Sequence, residues 1–268
     1  MKDSKRLLCV FAHPDDETLG AGSTLAKYAA AGVELYLVTA TRGERGWQGD
    51  PSADPGPQAL GEIRTAELLA AAQVLGIRNV QFLNYLDGDL DQADPAEAIG
   101  RIVTHIRRIR PQVVITFGPD GSYGHPDHIA ISQFTSAAIV CAADATSADR
   151  QVLPAHRVTK LYYMVDSRSE VEALVPIIGD ISFMVDGVER GIVAWEEWAV
   201  TTKIDGRAHW QTALRAAACH ASQLVGYPDF ASLPEDVQAP LWGLRSYYRA
   251  FSMVNGGRRV EDDLFEGV

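Results

Sequence analysis

Apolar residues along this chain fall into short dense runs separated by segments with helical periodicity. Leu7–Ala12 is a nearly continuous apolar run, the pattern of a strand buried on both faces. Thr18–Ala31 carries apolar residues at helical spacing, and Gly32 suits its C-cap. Val33–Ala40 predicts a second strand, Gln58–Leu75 a strong helix closed by Gly76, and Val80–Leu83 a short strand. Pro95–Arg110 predicts a helix, with Asp94 as N-cap, Pro95 in the first turn and Pro111 as its stop. Val113–Phe117 is another buried strand, Ile129–Ala143 a helix and Thr159–Val165 a strand. Strands and helices therefore alternate, which predicts an α/β fold: a mostly parallel sheet sandwiched by helices. In such folds ligands sit outside the carboxyl ends of the strands.

The connecting segments and the last hundred residues give less. Thr41–Pro57, rich in Gly, Pro, Asp and Ser, is either a lid or substrate loop or a plain surface loop. Asp144–Ala155 is a second loop. Val185–Val200, with Trp195 and Trp198, fits strand or helix; Arg207–Gln223 fits a helix; the remainder, with Pro228, Pro234 and Pro240, is irregular. No repeat and no linker composition divides the chain. The expectation is one domain over 1–268, with a core of about residues 5–165 and a variable region at 166–268 serving substrate or oligomer contacts.

Charge narrows the partners. The 268 residues carry 35 acidic against 24 basic side chains, a formal net charge of −11. Such a chain repels nucleic acid and anionic lipid unless a basic patch reverses the field. The pairs Arg107-Arg108 and Arg258-Arg259 are too short for that, so neither nucleic acid nor membrane is an expected partner. Lys2, Lys5 and Arg6 precede an apolar stretch too short for a signal-peptide core, and no run is long enough to span a bilayer, so the expected location is the cytoplasm. Three cysteines without CxxC spacing exclude a disulfide framework and a thiolate metal site; Cys9, in an apolar run, reads as core.

The chemistry concentrates in a short pattern that occurs twice. His13-Pro14-Asp15-Asp16-Glu17 follows the first strand, and His125-Pro126-Asp127-His128 follows the strand at Val113–Phe117 through the loop Gly118–Gly124. Residues three apart in a helical turn share a side, so His13 can converge with Asp16, and His125 with His128. Imidazole with carboxylate is the ligand set of catalytic zinc, which takes three protein ligands and keeps one position open. His13, Asp16 and His128 fit it; being N and O donors, they also admit Fe2+ or another divalent metal. Asp15 is then the free carboxylate that moves protons. His125 would face a developing oxyanion, and Asp127 would orient that imidazole. An aspartate alone at a helix start is usually a cap; the pattern repeated at two strand ends carries the reading. Glu17 fits a helix-dipole role in the first turn. Trp195, Trp198 and Trp242 suit packing better than sugar stacking.

Ala12-His13-Pro14-Asp15-Asp16-Glu17 and Tyr123-Gly124-His125-Pro126-Asp127-His128 resemble the two motifs of the LmbE-like, or PIG-L, N-acetylglucosaminyl deacetylases, over roughly residues 5–140. The resemblance implies a Rossmann-like fold, zinc, and removal of acetyl from N-acetylglucosamine conjugates of inositol, malate, glycolipids or glycopeptides. It makes His13, Asp16 and His128 the zinc ligands, Asp15 the general base and then acid, and His125 the stabiliser of the tetrahedral intermediate. Tyr123 matches a tyrosine that approaches the substrate carbonyl. Arg64, in Gly61-Glu62-Ile63-Arg64-Thr65-Ala66-Glu67, matches an arginine that contacts substrate hydroxyls, and Asp87 an acidic residue near the sugar. Cys219-His220-Ala221-Ser222-Gln223 resembles a late family element, in which His220 is either on the substrate side or structural. Family members often form trimers or hexamers. The expected activity is therefore zinc-dependent N-deacetylation of a small amino-sugar conjugate. Two alternatives stand beside it. A phosphoesterase would want a second metal or a Lys/Arg clamp; a non-catalytic sugar or nucleotide binder would want a Gly-rich phosphate turn after the first strand.

Overall fold

Strand β1 (Arg6–Phe11) forms where the chain is most apolar, and Leu7–Phe11 are at most 1% exposed. It lies inside a sheet ordered β3-β2-β1-β4-β5-β10-β9, where β2 is Glu34–Thr39, β3 Ile77–Phe82, β4 Val113–Phe117, β5 Lys160–Ser167, β9 Thr202–Asp205 and β10 Leu244–Ser252; the first five in this order are β3, β2, β1, β4 and β5. These five strands are parallel. The structure is a computed structural model and describes residues 4–146, 153–179, 182–185, 187–225, 230–255, 257 and 259–268. Lys2, Pro228, Arg258 and the centre of the 144–155 loop lie outside them.

Helices α1 (Asp16–Leu19), α2 (Gly22–Ala30) and α3 (Pro57–Leu75) lie in the connections between β1, β2 and β3, and α4 (Pro95–Ile109) and α6 (Pro126–Ala143) pack on each other against β1, α4 also meeting β2 and α6 meeting β4. The α/β sandwich expected from the alternation is thus present. The helix expected over Thr18–Ala31 is split at Gly20–Ala21, where a Cβ on Gly20 would collide with the Met164 side chain of β5. Between β4 and α6 lies one distorted turn, α5 (Gly121–Gly124). Helix α6 starts at Pro126, earlier than periodicity suggested, with His125 as its N-cap; this puts His128 in the first turn.

The C-terminal region holds more order than its prolines suggested. A capping box at Ser167 and Glu170 opens α7 (Arg168–Ile178). A hairpin follows, β6 (Ser182–Val185) with β7 (Val188–Gly191), and then β8 (Ala194–Trp195), which pairs with the end of β5. Strand β9 (Thr202–Asp205) leads to α8 (Trp210–Ala217), which stops well before Gln223. The stretch read as irregular contains α9 (Glu235–Gly243) and β10 (Leu244–Ser252), which runs antiparallel between β5 and β9. No helix among the described residues is long and apolar enough to cross a membrane. Cys9 is buried, as expected.

A buried polar network ties the last residues to this sheet. The Glu261 carboxylate accepts from Lys160 Nζ at 3.0 Å, Tyr162 Oη at 2.7 Å, Thr202 Oγ1 at 3.1 Å and Arg249 Nη1 at 2.7 Å. Burial would raise this carboxyl, but bonds from Tyr162, Lys160, Asn255 and Arg249 hold it at about 2. Glu261→Gln leaves the buried Lys160 ammonium uncompensated and should cost about 3–5 kcal/mol in chemical denaturation at neutral pH. Because the folded carboxyl ionises below its ordinary value of 4.5, its contribution is present above 4.5 and is lost as pH falls toward about 2. The difference between wild type and variant should close over that window; a constant difference would contradict this account.

Candidate active site

Strands β1 and β4 are parallel neighbours, with Leu7 opposite Val113 and Cys9 opposite Ile115. The chain leaves β1 toward β2 on one side and leaves β4 toward β5 on the other, which opens a crevice at their carboxyl ends. Both His-Pro-Asp segments fall there. His13 Nδ1 lies 3.1 Å from His128 Nε2; Asp16 Oδ1 is 3.5 Å from His128 Nε2, and Asp16 Oδ2 is 3.9 Å from His13 Nδ1. Donors around a four-coordinate zinc with bonds of about 2.0–2.1 Å are spaced by ~3.3 Å. The three groups fit a divalent ion.

Each of these side chains is held by its other end. Asp16 Oδ2 accepts the backbone N–H of Ala12 at 3.1 Å and of His13 at 2.8 Å. His128 Nδ1 sits 3.1 Å from Gly121 O, and its ring stacks on Phe117 at 3.9 Å. His13 Nε2 meets Asp87 Oδ1 at 3.0 Å and Asp127 Oδ2 at 3.1 Å. These partners assign the N–H of each ring to the outer nitrogen and turn a lone pair inward. Burial disfavours charge on His13, but the Asp127 and Asp87 carboxylates outweigh it and raise its pKa well above the ordinary value. Burial, with His13 and His125 as neighbours, drives His128 the other way. Asp16 is pushed up to about 7, chiefly by burial. A divalent cation between the two imidazoles would need both inward nitrogens deprotonated, so its binding would release protons and depend on pH. His13, Asp87 and Asp127 also cluster as potential ligands, but on the outer ring nitrogen. Their carboxylates already accept the backbone N–H of Arg45 (to Asp87), Gly88 and Leu90 (both to Asp127).

Asp15 differs from Asp16 in every respect that matters. It caps α1 with φ 105, in the left-handed region, and makes no side-chain cap bond. Its side chain is 16% exposed against 8% for Asp16, and its Oδ2 lies 3.3 Å from Arg64 Nη2. Burial raises its pKa, opposed by Arg64 and His220. The His125 ring is 4.8 Å from that of His13 and 4.7 Å from that of His128, and these three imidazoles form a second group of potential ligands. Tyr123 stands edge-on to both His125 and His128, at 5.7 and 5.2 Å. The crevice thus gathers His13, Asp15, Asp16, Tyr123, His125 and His128.

Four expectations change. Asp127 does not orient His125: its carboxylate, fully buried, goes to His13, Gly88 and Leu90, and only its backbone N–H reaches His125 Nδ1, at 3.1 Å. Asp87, expected as an acidic group near the sugar, is placed as the second carboxylate on His13. Arg64 is 3% exposed, and its guanidinium donates to Pro14 O, Gly43 O and Asp15, which makes it a brace on Asp15, while its Nε has no partner among the described residues. His220 is 1% exposed and paired with Glu17 at 2.8 Å, behind Asp15. Glu17 also accepts the Asp15 N–H, the dipole role expected of it, while being fully buried. Glu44, which as a residue of the 41–46 segment could be cleft lining or surface loop, accepts the N–H of Asp87 at 3.4 Å; the Gly88 and Leu90 amides were not foreseen. The acidic cluster at 87–91 was their one sequence signal. The segment Thr41–Gly46 is pinned at the site through Gly43, Arg45 and Gly46, whereas 51–55 is exposed. Trp242 is core, Trp198 is exposed, and Trp195 binds Asp120. His220→Leu leaves Glu17 charged and buried, and should cost about 3–5 kcal/mol of stability in urea; a loss below ~0.5 kcal/mol would mark a surface residue instead.

A family model described as GlcNAc-PI de-N-acetylase (PIG-L) matches residues 8–139. Among relatives, the 1D-myo-inositol 2-acetamido-2-deoxy-alpha-D-glucopyranoside deacetylase of Kineococcus radiotolerans is 35% identical, over 98% of this chain and 83% of its own. The mycothiol S-conjugate amidase of Streptomyces coelicolor is 31% identical, over 100% of this chain and 99% of its own. The N,N'-diacetylchitobiose deacetylase of Pyrococcus horikoshii superposes with a TM-score of 0.66 at 20% identity, covering 92% of this chain and 84% of that one, which is a likeness of fold. With both motifs in one crevice and relatives of this identity along its whole length, the chain belongs to the PIG-L, or LmbE-like, family.

Proposed function

We propose that this protein hydrolyses the N-acetyl amide of an N-acetylglucosamine conjugate, releasing acetate and the free amine. The observation that carries the reading is the division between the adjacent carboxylates: Asp16 is fixed by two backbone N–H groups toward His13 and His128, whereas Asp15 has no such bonds. Relatives named as deacetylases of an inositol-linked amino sugar support the substrate class. His13, Asp16 and His128 would hold the divalent ion, with zinc the first choice for this donor set. When bound, the ion supplies Lewis acidity for the acetyl carbonyl and for water.

The protein's own groups do the rest. Asp15 takes a proton from the attacking water and returns it to the amide nitrogen as the C–N bond breaks. Burial raises its carboxyl, which makes it a better base toward the attacking water than a solvated aspartate. Arg64 holds Asp15 in place. His125 donates to the developing oxyanion from the side where Tyr123 approaches the carbonyl. Asp87 and Asp127 keep the lone pair of His13 turned inward. The same reading makes the chain a single-domain cytoplasmic enzyme, assembled as a trimer or hexamer. A phosphoesterase is disfavoured because Arg64, the cation beside Asp15, is 3% exposed and turns both terminal nitrogens to Pro14, Gly43 and Asp15.

Amine release should be measured on inositol, malate and chitooligosaccharide conjugates of N-acetylglucosamine. Asp15→Asn should lower turnover by about 10²–10⁴-fold while metal stoichiometry stays at the wild-type value. His128→Ala should lose the metal itself. Wild-type turnover in Asp15→Asn would remove that residue from the chemistry, and unchanged metal content in His128→Ala would remove the proposed ion site.

A further inference from the structure

The turn Gly121–Gly124 carries Tyr123 and leads into His125, and its backbone is strained. Ser122 sits at φ 67, ψ −53, a conformation that costs a non-glycine residue free energy and persists only where the surroundings impose it. The surroundings that impose it come from the C-terminal region. Ser122 O accepts the N–H of Val193 at 2.7 Å. Ser122 N–H donates to Asp120 Oδ1 at 2.7 Å, and the other oxygen of Asp120 accepts from Trp195 Nε1, also at 2.7 Å. Ser122 Oγ donates to Asp166 Oδ2 at 3.2 Å. Asp166 is the β5 residue opposite Ala194 in the short β8 pairing, and Ser167 is opposite Trp195.

The same segment covers the next two residues of the turn. The Phe183 ring, on β6, lies 4.4 Å from the Tyr123 ring. The Arg190 guanidinium, on β7, lies beside Gly124, where an added Cβ would come within 3.2 Å of its Nη1. Asp120, Ser122, Tyr123 and Gly124 are thus each met by one residue between 183 and 195. None of those partners falls within the span that the family model matches.

We propose that Phe183, Arg190, Val193 and Trp195 together form a positioning clamp for this turn, and that Trp195, acting through Asp120, sets where Tyr123 and His125 stand. This rests on the deacetylase reading for its kinetic consequence but not for its structural one. Trp195 touches no reacting atom; it is a positioning residue. Trp195→Phe keeps the ring that packs near Tyr248 at 5.4 Å and deletes only the N–H donor. Asp120→Asn keeps an oxygen for Ser122 N–H and loses the same bond from the other side.

The test combines amide hydrogen exchange with steady-state kinetics on metal-loaded protein. Either substitution should speed exchange of the 118–125 amides by about tenfold, the equivalent of one hydrogen bond, and leave the β1 and β4 amides unchanged. On the conjugate that the wild type turns over, kcat per bound metal should fall about tenfold, with KM within about twofold. The double variant should lose no more than either single one, because one bond is removed in all three. Unchanged exchange at 118–125, a loss in KM alone, or losses that multiply in the double variant would overturn the clamp. A wild type inactive on every conjugate would sink the deacetylase reading, and the exchange measurement would still decide the clamp.

Discussion

Leu7 pairs with Val113 and Cys9 with Ile115, so β1 and β4 end at the same height, side by side. That pairing is the constraint on which the site depends. Residues 13–16 and 125–128 are more than a hundred positions apart in the chain, yet the first follows directly on β1 and the second follows β4 through the turn Gly121–Gly124. Parallel strands require both exits at one edge, and the reversal of connection between them leaves the space open. The buried apolar runs thus do chemical as well as structural duty, because a slip of one residue in the pairing would carry His13 away from His128.

Within the crevice, backbone amides decide which carboxylate does what. Asp15 and Asp16 are adjacent and chemically identical. The N–H groups of Ala12 and His13 take Asp16 Oδ2 and aim its other oxygen at His128, while the left-handed backbone at Asp15 turns that side chain toward Arg64. The same device operates behind His13: Gly88 and Leu90 fix Asp127, and Arg45 fixes Asp87, so two buried carboxylates hold one imidazole. Such outer contacts orient a ligand and raise its basicity.

The residues that converge were legible because the motif repeats and because each copy follows a run of buried strand character. The sandwich was legible for the same reason, through Leu7–Ala12 and Val113–Phe117. What spacing could not give is which carboxylate serves which imidazole. Asp127 stands two residues from His125, but the loop before α4 brings its amides to Asp127 and puts Asp87 on His13, a matter of tertiary contact alone. His220 looked like a site residue for its local motif, yet its partner Glu17 lies 203 positions away. Strand β10 escaped because its exposure does not alternate cleanly, being flanked by β5 on one side and β9 on the other.

The division of labour between Asp15 and Asp16 is the centre of this account, and a crystal structure of the metal-loaded protein with anomalous data at the metal edge tests it most directly. The account predicts one ion bound by His13 Nδ1, His128 Nε2 and Asp16, at about 2.0–2.2 Å, with Asp15 outside bonding distance and an open position facing His125. An ion held by Asp15 in place of Asp16, or seated between Asp87 and Asp127 on the other nitrogen of His13, would contradict it.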